Sequence, residues 1–318
     1  MAVTAPFEAE SISLRLYPHN ELGARGVMDE MCRQAALGID AAFDGVMTSE
    51  HHGGFAGYLP NPLQMTTFIL EENRSGWAAP CPLLLPLRPV AQVAEEIAWL
   101  ETRHPGRVGL GVAAGALPLD FSAMGVPLDE AVPRFKRQLP RIVDMLRGTD
   151  LGDLEGDLAL RRCAEHPIPV LSAAVSPAAA RRAARCGAGV LYEGMSKPDD
   201  LARLSGVFDE AGGTGCKMLI RRVWLGERRS EEIDRQRKIY ESYASGGRPL
   251  SEDQTVSAPD GDELADRLAD VVTTVGADAL NLRLHLVGLP PEAIREQITA
   301  LGEQVLPKLR RALSWRTP

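Results

Sequence analysis

The sequence predicts a (β/α)8 barrel, an α/β fold, on three observations. Short apolar runs alternate with longer amphipathic stretches along the 318 residues, as parallel strands joined by helical crossovers do. Eight such units follow one another, which matches a closed barrel. No G-x-G-x-x-G follows the first strand, so the main sign of a dinucleotide-binding open sheet is missing. An open doubly wound sheet is the alternative fold.

The predicted strands are apolar or β-branched runs: Ser11–Tyr17, Gly45–Ser49, Ala79–Leu85, Arg107–Ala113, Pro169–Ala174, Gly189–Tyr192, Lys217–Leu225 and Ala279–Leu286. Apolar residues with a 3.6-residue period predict helices between them, such as the one that Pro89 opens. After the fifth strand, Ser176 is a natural N-cap, Pro177 suits the first turn and Gly187 a stop. The last helix is predicted from about Pro290 to Leu313.

Two segments interrupt this alternation. Residues 150–167 are polar and acidic, which predicts a surface excursion before the fifth strand. Residues 244–261 are rich in Gly, Pro and Ser and follow the seventh strand and its helix, which predicts a mobile segment. Neither segment separates two units of different composition. We therefore expect residues 1–318 to form one barrel domain.

Composition excludes several functional classes. A net charge of −8 and a pI near 5.4 argue against a nucleic-acid partner. No apolar run is long enough to span a membrane, and the N-terminus lacks the basic start and apolar region of a secretion signal. The five cysteines are scattered and form no C-x-x-C pair, which argues against a disulfide framework. We expect a cytoplasmic protein without a membrane partner.

Chemistry in a (β/α)8 barrel is found where strands end and helices begin. Those positions carry polar, aromatic and cationic side chains: His19, Glu50, His51, His52, Arg88, Asp120, Ser176, Arg221, Arg222, Trp224, Arg283 and His285. They contain no H-E-x-x-H or carboxylate cluster for a metal, and no G-x-S-x-G nucleophile. Histidines without a metal or a serine nucleophile indicate proton transfer or contact with an organic cofactor.

Structural roles compete with these functional ones. A single histidine at a strand end, such as His19 or His285, is commonly a structural hydrogen-bonding group. Adjacent residues of an extended chain point to opposite faces, so at most one of His51 and His52 faces the barrel mouth directly. Arg221 and Arg222 also fit an ordinary salt-bridged pair. Ser176 caps a helix in any case, and such a helix N-terminus is also suited to bind phosphate.

Three motifs resemble one family. The stretch EHHGGFAGYLPNP, from Glu50 to Pro62, resembles the E-H-H-x-x-x-x-G-x-L-x-N-P signature of bacterial-luciferase-like flavin-dependent monooxygenases. The block from Leu83 to Gly115 is similar to the family's P…P…AE…GR…G.G.G pattern. The stretch DFSAMGVP, from Asp120 to Pro127, resembles the D/E-F-x-x-F/Y-G-x motif. The resemblance covers nearly the whole chain.

The resemblance implies a luciferase-like TIM barrel, often a homodimer built on the second and third helices. It implies that reduced FMN, supplied by a separate reductase, and dioxygen oxidise a small organic substrate. His51 would be the catalytic acid/base beside the flavin and His52 its neighbour, while Glu50 would orient an imidazole or contact the ring. Further cofactor positions are Cys81 and Pro82, whose peptide bond is expected to be cis beneath the flavin, Ala113, Ala114 and Ser176. Substrate positions are Phe55, Tyr58, Trp224, Arg283 and His285.

The chain departs from the luciferase pattern before the third strand, where LEENRSGWAAP replaces A-x-x-T-x-R-I, and at three candidate site positions. Ala113 and Ala114 stand where luciferase has a reactive cysteine and a phosphate-binding arginine, and Val175 replaces a glutamate. Light emission is therefore not expected. A deazaflavin-dependent reductase or dehydrogenase on the same barrel is the second hypothesis, and a non-catalytic flavin-binding barrel is the third. An isomerase or aldolase is a more distant alternative, because no suitable lysine stands at a strand end.

Overall fold

The computed structural model describes residues 4–243 and 252–313. Its strands all run parallel to their partners: β1 (Ile12–Arg15), β2 (Gly45–Thr48), β3 (Trp77–Pro80), β4 (Leu83–Leu84), β5 (Leu110–Ala113), β6 (Val170–Ala173), β7 (Gly189–Tyr192), β8 (Lys217–Leu225), β9 (Val256–Ala258) and β10 (Ala279–Arg283). Neighbouring strands pair in the order β3-β2-β1-β10-β8-β7-β6-β5-β4, and β9 pairs with the far end of β8.

The third barrel strand is divided into β3 and β4, and this division closes the barrel. β3 pairs with β2, whereas β4 pairs with β5. The Ala78 N–H donates to the Arg107 carbonyl oxygen at 3.0 Å, and the Gly109 N–H donates to that of Ala78 at 3.3 Å. These bonds connect β3 to the segment that leads into β5. The prediction of a (β/α)8 barrel is confirmed, and the open sheet is excluded.

The eight predicted strands are all present, with differences at their ends. The third begins earlier than predicted, at Trp77, and is interrupted at Cys81 and Pro82. The peptide bond between these two residues is cis, as the resemblance implied, and Pro82 has no N–H for strand pairing. The fourth and eighth strands are shorter than predicted, because regular pairing begins at Leu110 and ends at Arg283.

The helices pack around the barrel: α1 (Gly23–Asp40), α2 (Pro62–Glu72), α3 (Val90–Arg103), α4 (Pro118–Ala123), α5 (Ala131–Met145), α6 (Leu158–Arg162), α7 (Pro177–Arg185), α8 (Pro198–Glu210), α9 (Ser230–Tyr243), α10 (Gly261–Val275), α11 (Pro291–Gln304) and α12 (Leu306–Leu313). Ser176 caps α7 as predicted, since its hydroxyl oxygen accepts the Ala179 N–H at 3.3 Å. The prediction of a single C-terminal helix is wrong. α11 ends before Val305, because Pro307 has no N–H with which to continue the helical bonding.

The two interruptions in the alternation differ from simple loops. Residues 150–167 contain α6, in which Ala159 and Leu160 are buried. The Trp99 indole N–H on α3 donates to the Asp157 carboxylate at 3.0 Å, which ties the start of α6 to α3. Of residues 244–261, the part up to 251 lies outside the described residues, and the rest contains β9. The assignment of the whole chain to one domain stays a prediction.

Alternation along the strands separates two apolar regions. One lies between the strands and the surrounding helices. The other fills the lower barrel with inward side chains: Phe7, Met47, Trp77, Ala79, Cys81, Leu171, Leu191, Met218 and Ala279. Above this apolar region, a cavity opens toward the carboxyl ends of the strands. No helix within residues 4–243 and 252–313 combines the length and the apolarity needed to cross a membrane.

Candidate active site

A cavity of about 600 Å³ opens at the carboxyl ends of the barrel strands. Its volume is typical of a pocket for an organic ligand. Most of the sequence-predicted site residues line it: Glu50, His51, Phe55, Tyr58, Pro82, Ala113, Ala114, Ser176 and Arg283. In the part of the chain that the structure describes, no group of three His, Cys, Asp or Glu side chains is arranged to hold a metal ion.

Four predicted residues lie outside the cavity wall. Cys81 is fully buried beneath it, and a Cβ added to Gly111 would lie only 2.0 Å from the Cys81 sulfur. The glycine thus lets β5 approach the third strand directly below Pro82. His52 is buried behind the wall and bonds to Glu50. Cys81 and His52 can therefore support the cavity wall without touching a ligand.

Trp224 and His285 also lie outside the cavity lining. β8 continues past the barrel rim to pair with β9, so Trp224 pairs in register with Ser257 and its ring lies 5.0 Å from the Arg229 guanidinium. The His285 ring stacks behind Tyr17, with centroids 5.5 Å apart. Burial holds the pKa of His285 well below its usual value, and the charges of His19 and Arg283 add to this effect.

His51 is held by a carboxylate from a distant part of the chain. Its Nδ1 lies 2.8 Å from Oδ2 of Asp120, at the start of α4. The other carboxylate oxygen, Oδ1, accepts the His52 backbone N–H at 2.7 Å. Asp120 is 1% exposed, whereas the His51 side chain is 22% exposed and lines the cavity. With Nδ1 engaged, Nε2 is the nitrogen that His51 presents to a ligand.

Glu50 links three neighbouring segments. Its Oε2 accepts the Leu84 N–H at 2.6 Å, and its Oε1 lies 2.6 Å from Arg88 Nη1 and 2.7 Å from His52 Nε2. The Glu50 N–H also donates to the Pro82 carbonyl oxygen at 3.2 Å. The carboxylate therefore orients His52, not His51, and fixes the end of β2 against β4.

Aromatic rings form the wall beside His51. Its ring centroid lies 4.5 Å from that of Tyr58 and 4.9 Å from that of Phe55. The Tyr58 hydroxyl lies 3.2 Å from the Tyr240 hydroxyl on α9, and Tyr17 packs edge-on against Tyr58. Burial raises the pKa of Tyr58 well above its usual value, and the neighbouring tyrosines raise it further. These rings shield the imidazole from bulk water.

Sequence reasoning did not assign several cavity or supporting residues a role: Arg15, Tyr17, Asp120, Arg182, Arg222 and Tyr240. Asp120 carried a signal, because it begins the D-F motif, but its partner lies 69 positions away. The sequence leaves Arg221 and Arg222 open between ordinary salt bridges to carboxylates and a role in the site. The structure places only Arg222 in the cavity, because adjacent strand residues face opposite sides.

The chain belongs to the luciferase-like monooxygenase family, whose sequence profile matches residues 12–306. An uncharacterised protein of Mycobacterium tuberculosis is 29% identical over 226 residues, which span 67% of this chain and 66% of that protein. The 4-hydroxyprotoasukamycin monooxygenase of Streptomyces nodosus subsp. asukaensis is 29% identical over 175 residues, spanning 50% of this chain and 47% of that enzyme.

Solved structures show the same fold at low sequence identity. Monooxygenase RslO1 from Streptomyces bottropensis has a TM-score of 0.78 and 20% identity, covering 93% of this chain and 99% of its own. The oxygenating constituent of 3,6-diketocamphane monooxygenase from Pseudomonas putida, in complex with FMN, has a TM-score of 0.72 and 19% identity over 94% and 98%. An F420-dependent secondary alcohol dehydrogenase has a TM-score of 0.70 and 14% identity over 95% and 99%.

Proposed function

We propose that this protein is a flavin-dependent monooxygenase that uses reduced FMN and dioxygen to oxidise a small organic substrate. The observation that carries the proposal is the His51–Asp120 pair at an apolar, partly shielded cavity of about 600 Å³. An oriented imidazole beside a pocket of this size suits acid/base chemistry on an organic cofactor and its substrate. Family membership supports an oxidoreductase over the isomerase or aldolase alternative.

The residues present fit FMN at two points. Pro82, Leu84, Ala113 and Ala114 form an apolar wall against which a planar ring can lie. Ser176 and the N-terminus of α7 supply a hydroxyl and backbone N–H groups for a phosphate. Arg182 on α7 lines the same cavity and carries a positive charge, which Ala114 does not. When bound, reduced FMN supplies the electrons that activate dioxygen for transfer of one oxygen atom.

His51 then has a defined task. The Asp120 carboxylate accepts a hydrogen bond from Nδ1–H and so favours the neutral tautomer whose Nε2 lone pair faces the cavity. That nitrogen can take a proton from the substrate and return it. Phe55 and Tyr58 pack against the ring and exclude water from this proton transfer.

A change of His51 to Ala tests the acid/base assignment. We expect reduced-FMN affinity to stay within several-fold of that of the unaltered protein, because the imidazole is assigned to proton transfer. Turnover should fall by about 100-fold or more. Stopped-flow and steady-state oxygen consumption measure the rates, and a change of exposed Asp129 to Asn is a control. An unchanged rate would end the assignment.

Anaerobic fluorescence titrations separate the proposal from its alternatives. Purified protein is titrated with reduced FMN, oxidised FMN and the deazaflavin coenzyme. Tighter binding of reduced FMN supports the monooxygenase, whereas preference for deazaflavin supports a hydride-transferring reductase or dehydrogenase. The titration with the deazaflavin coenzyme is needed because an F420-dependent alcohol dehydrogenase has the same fold. Binding without oxygen or hydride chemistry would leave a non-catalytic flavin-binding barrel.

Two further parts of the proposal concern assembly and surroundings. We propose a homodimer built on α2 and α3, because Phe68 and Trp99 expose large apolar surfaces on these two helices. We also propose that a separate reductase supplies the reduced FMN. A cytoplasmic location agrees with five cysteines that are all free thiols.

A further inference from the structure

Three arginines stand side by side on the inner wall of the cavity. Arg15 on β1 pairs in register with Arg283 on β10, which in turn pairs in register with Arg222 on β8. Adjacent strands are about 4.8 Å apart, and residues in register point to the same face of a sheet. All three line the cavity. Like charges directly across neighbouring strands are destabilising, so this row has an energetic cost that packing does not explain.

The row is poorly neutralised by the protein itself. Among the described residues, no carboxylate forms an ion pair with Arg15 or Arg283, which are 3% and 8% exposed. Arg15 instead donates to the Asn281 amide oxygen at 2.7 Å, and Arg283 donates to the Tyr240 hydroxyl at 2.5 Å. Of the three arginines, Arg222 alone contacts a carboxylate within residues 4–243 and 252–313, that of Asp253 at 3.5 Å. Among the residues that the structure describes, the buried Nε atoms of Arg222 and Arg283 have no hydrogen-bond partner.

The other carboxylates of the cavity are engaged elsewhere. Glu50 is bound by Arg88 and His52, as described above. Glu193 accepts the Met195 N–H at 2.6 Å and also bonds to the Ser196 hydroxyl. The row therefore faces the cavity with excess positive charge. Burying unpaired charge is costly, and an anion that binds there recovers part of that cost.

We propose that this arginine row, Arg15–Arg283–Arg222, binds the carboxylate of an organic acid, so that the monooxygenase substrate is an apolar or aromatic carboxylic acid. The statement that the bound acid is the substrate rests on the proposed function. Planar guanidinium groups match the two oxygens of a carboxylate. Above the row, Tyr17, Tyr58 and Tyr240 supply an aromatic wall for the rest of the molecule.

The surroundings and the pKa of Tyr17 agree with a positive electrostatic field around the arginine row. The Arg283 guanidinium carbon lies 4.3 Å from the centre of the Tyr17 ring and 5.6 Å from that of Tyr240. Burial alone would raise the pKa of Tyr17, but the charges of Arg283 and Arg15 outweigh it and lower that pKa. The same field that favours a phenolate favours the carboxylate of a ligand.

Titration calorimetry with benzoate and its neutral isostere benzamide tests the inference on the unaltered protein. We expect benzoate to bind at least about tenfold more tightly, because charge-assisted hydrogen bonds exceed neutral ones. The preference should disappear in Arg283→Met and Arg15→Met, and be intermediate in Arg283→Lys, which keeps the charge but not the planar fork. Arg25→Met, at an exposed arginine of α1, should keep it. Circular dichroism verifies that each variant is folded.

The outcomes separate this inference from the proposed function. Equal binding of benzoate and benzamide, or a preference that survives both methionine variants, overturns the anion subsite. Competition between benzoate and reduced FMN also overturns it, because the row would then serve the cofactor. Failure of reduced FMN to bind, with the benzoate preference intact, would overturn the monooxygenase proposal and leave the subsite in place.

Discussion

Changing Asp120 to Asn should reverse the proton position on His51. The Asp120 carboxylate accepts two hydrogen bonds, from the His52 N–H at 2.7 Å and from His51 Nδ1 at 2.8 Å. In the variant, the single amide oxygen is retained by the buried backbone N–H of His52. The amide NH2 group then faces Nδ1 and donates to it. His51 Nδ1 must become the acceptor, so the proton moves to Nε2.

The size of the change follows from these two bonds. A hydrogen bond to a charged group contributes about 1.5–3 kcal/mol, which favours the Nδ1–H tautomer of the unaltered protein by about 10- to 150-fold. In the Asn variant, the Nδ1–H tautomer would place two hydrogen-bond donors against each other, the Nδ1–H group and the amide NH2 group. This contact would cost about 1–3 kcal/mol. The preference is therefore expected to change sign, not merely to weaken. The imidazole then presents a donor to the cavity where it had presented a base.

Nitrogen NMR of protein labelled with 15N-histidine measures the tautomer at about pH 9, above the ordinary range of imidazole titration. The shifts of the two His51 nitrogens should exchange in Asp120→Asn and stay unchanged in Asp129→Asn, at an exposed carboxylate. Diethyl pyrocarbonate, which modifies unprotonated nitrogen, should react with His51 about tenfold more slowly or less in the Asp120 variant. An unaltered shift pattern would refute the orienting role of Asp120.

Four other predictions follow from the contacts described. Glu50→Gln should lower the free energy of unfolding by about 3 kcal/mol, because the amide NH2 group would face one of the three donors that the carboxylate now accepts. A change below about 1 kcal/mol in urea titrations would contradict this expectation. His285 has a lowered pKa in the folded protein, so the unfolded state takes up more protons below about pH 6.5 and stability is lost at up to about 1.4 kcal/mol per pH unit as the pH falls. His285→Gln should flatten that slope, and an equal slope in both proteins would disprove it. Ser176→Ala should weaken reduced FMN binding about fivefold but leave riboflavin binding unchanged, since only FMN carries the phosphate; equal losses for both ligands would remove the phosphate role. Trp99→Glu should shift a dimer toward monomer in light scattering, whereas an unaltered protein that is already monomeric would exclude the proposed interface.

Much of the fold could be predicted from local sequence. Apolar runs and helical periodicity located all eight strands, because burial on both faces of a parallel barrel leaves a strong local pattern. The break between α11 and α12 carried only Pro307 as a signal, and apolar periodicity continues across it. β9 was not foreseen, because its pairing with β8 depends on a partner distant in sequence.

The site was less predictable, because its geometry depends on contacts between distant residues. Strand ends identified the histidine pair and Arg283, but position alone could not pair His51 with Asp120 instead of Glu50. Trp224 and Arg222 are two residues apart on β8 and therefore face the same side of the strand. However, Trp224 lies where β8 has passed the cavity and pairs with β9. The arginine row required the register between β1, β10 and β8, which no single segment encodes.

The bonds of Glu50 have a consequence for reading related sequences. Its carboxylate holds β2, β4 and Arg88 together, whereas the proton chemistry is assigned to the neighbouring His51. A descendant barrel that had abandoned catalysis would still need this connection to keep its shape. We therefore expect the glutamate of the E-H-H motif to outlast the first histidine in evolution. An intact His51–Asp120 pair, not the glutamate, would then distinguish catalytically active members of the family from inactive ones.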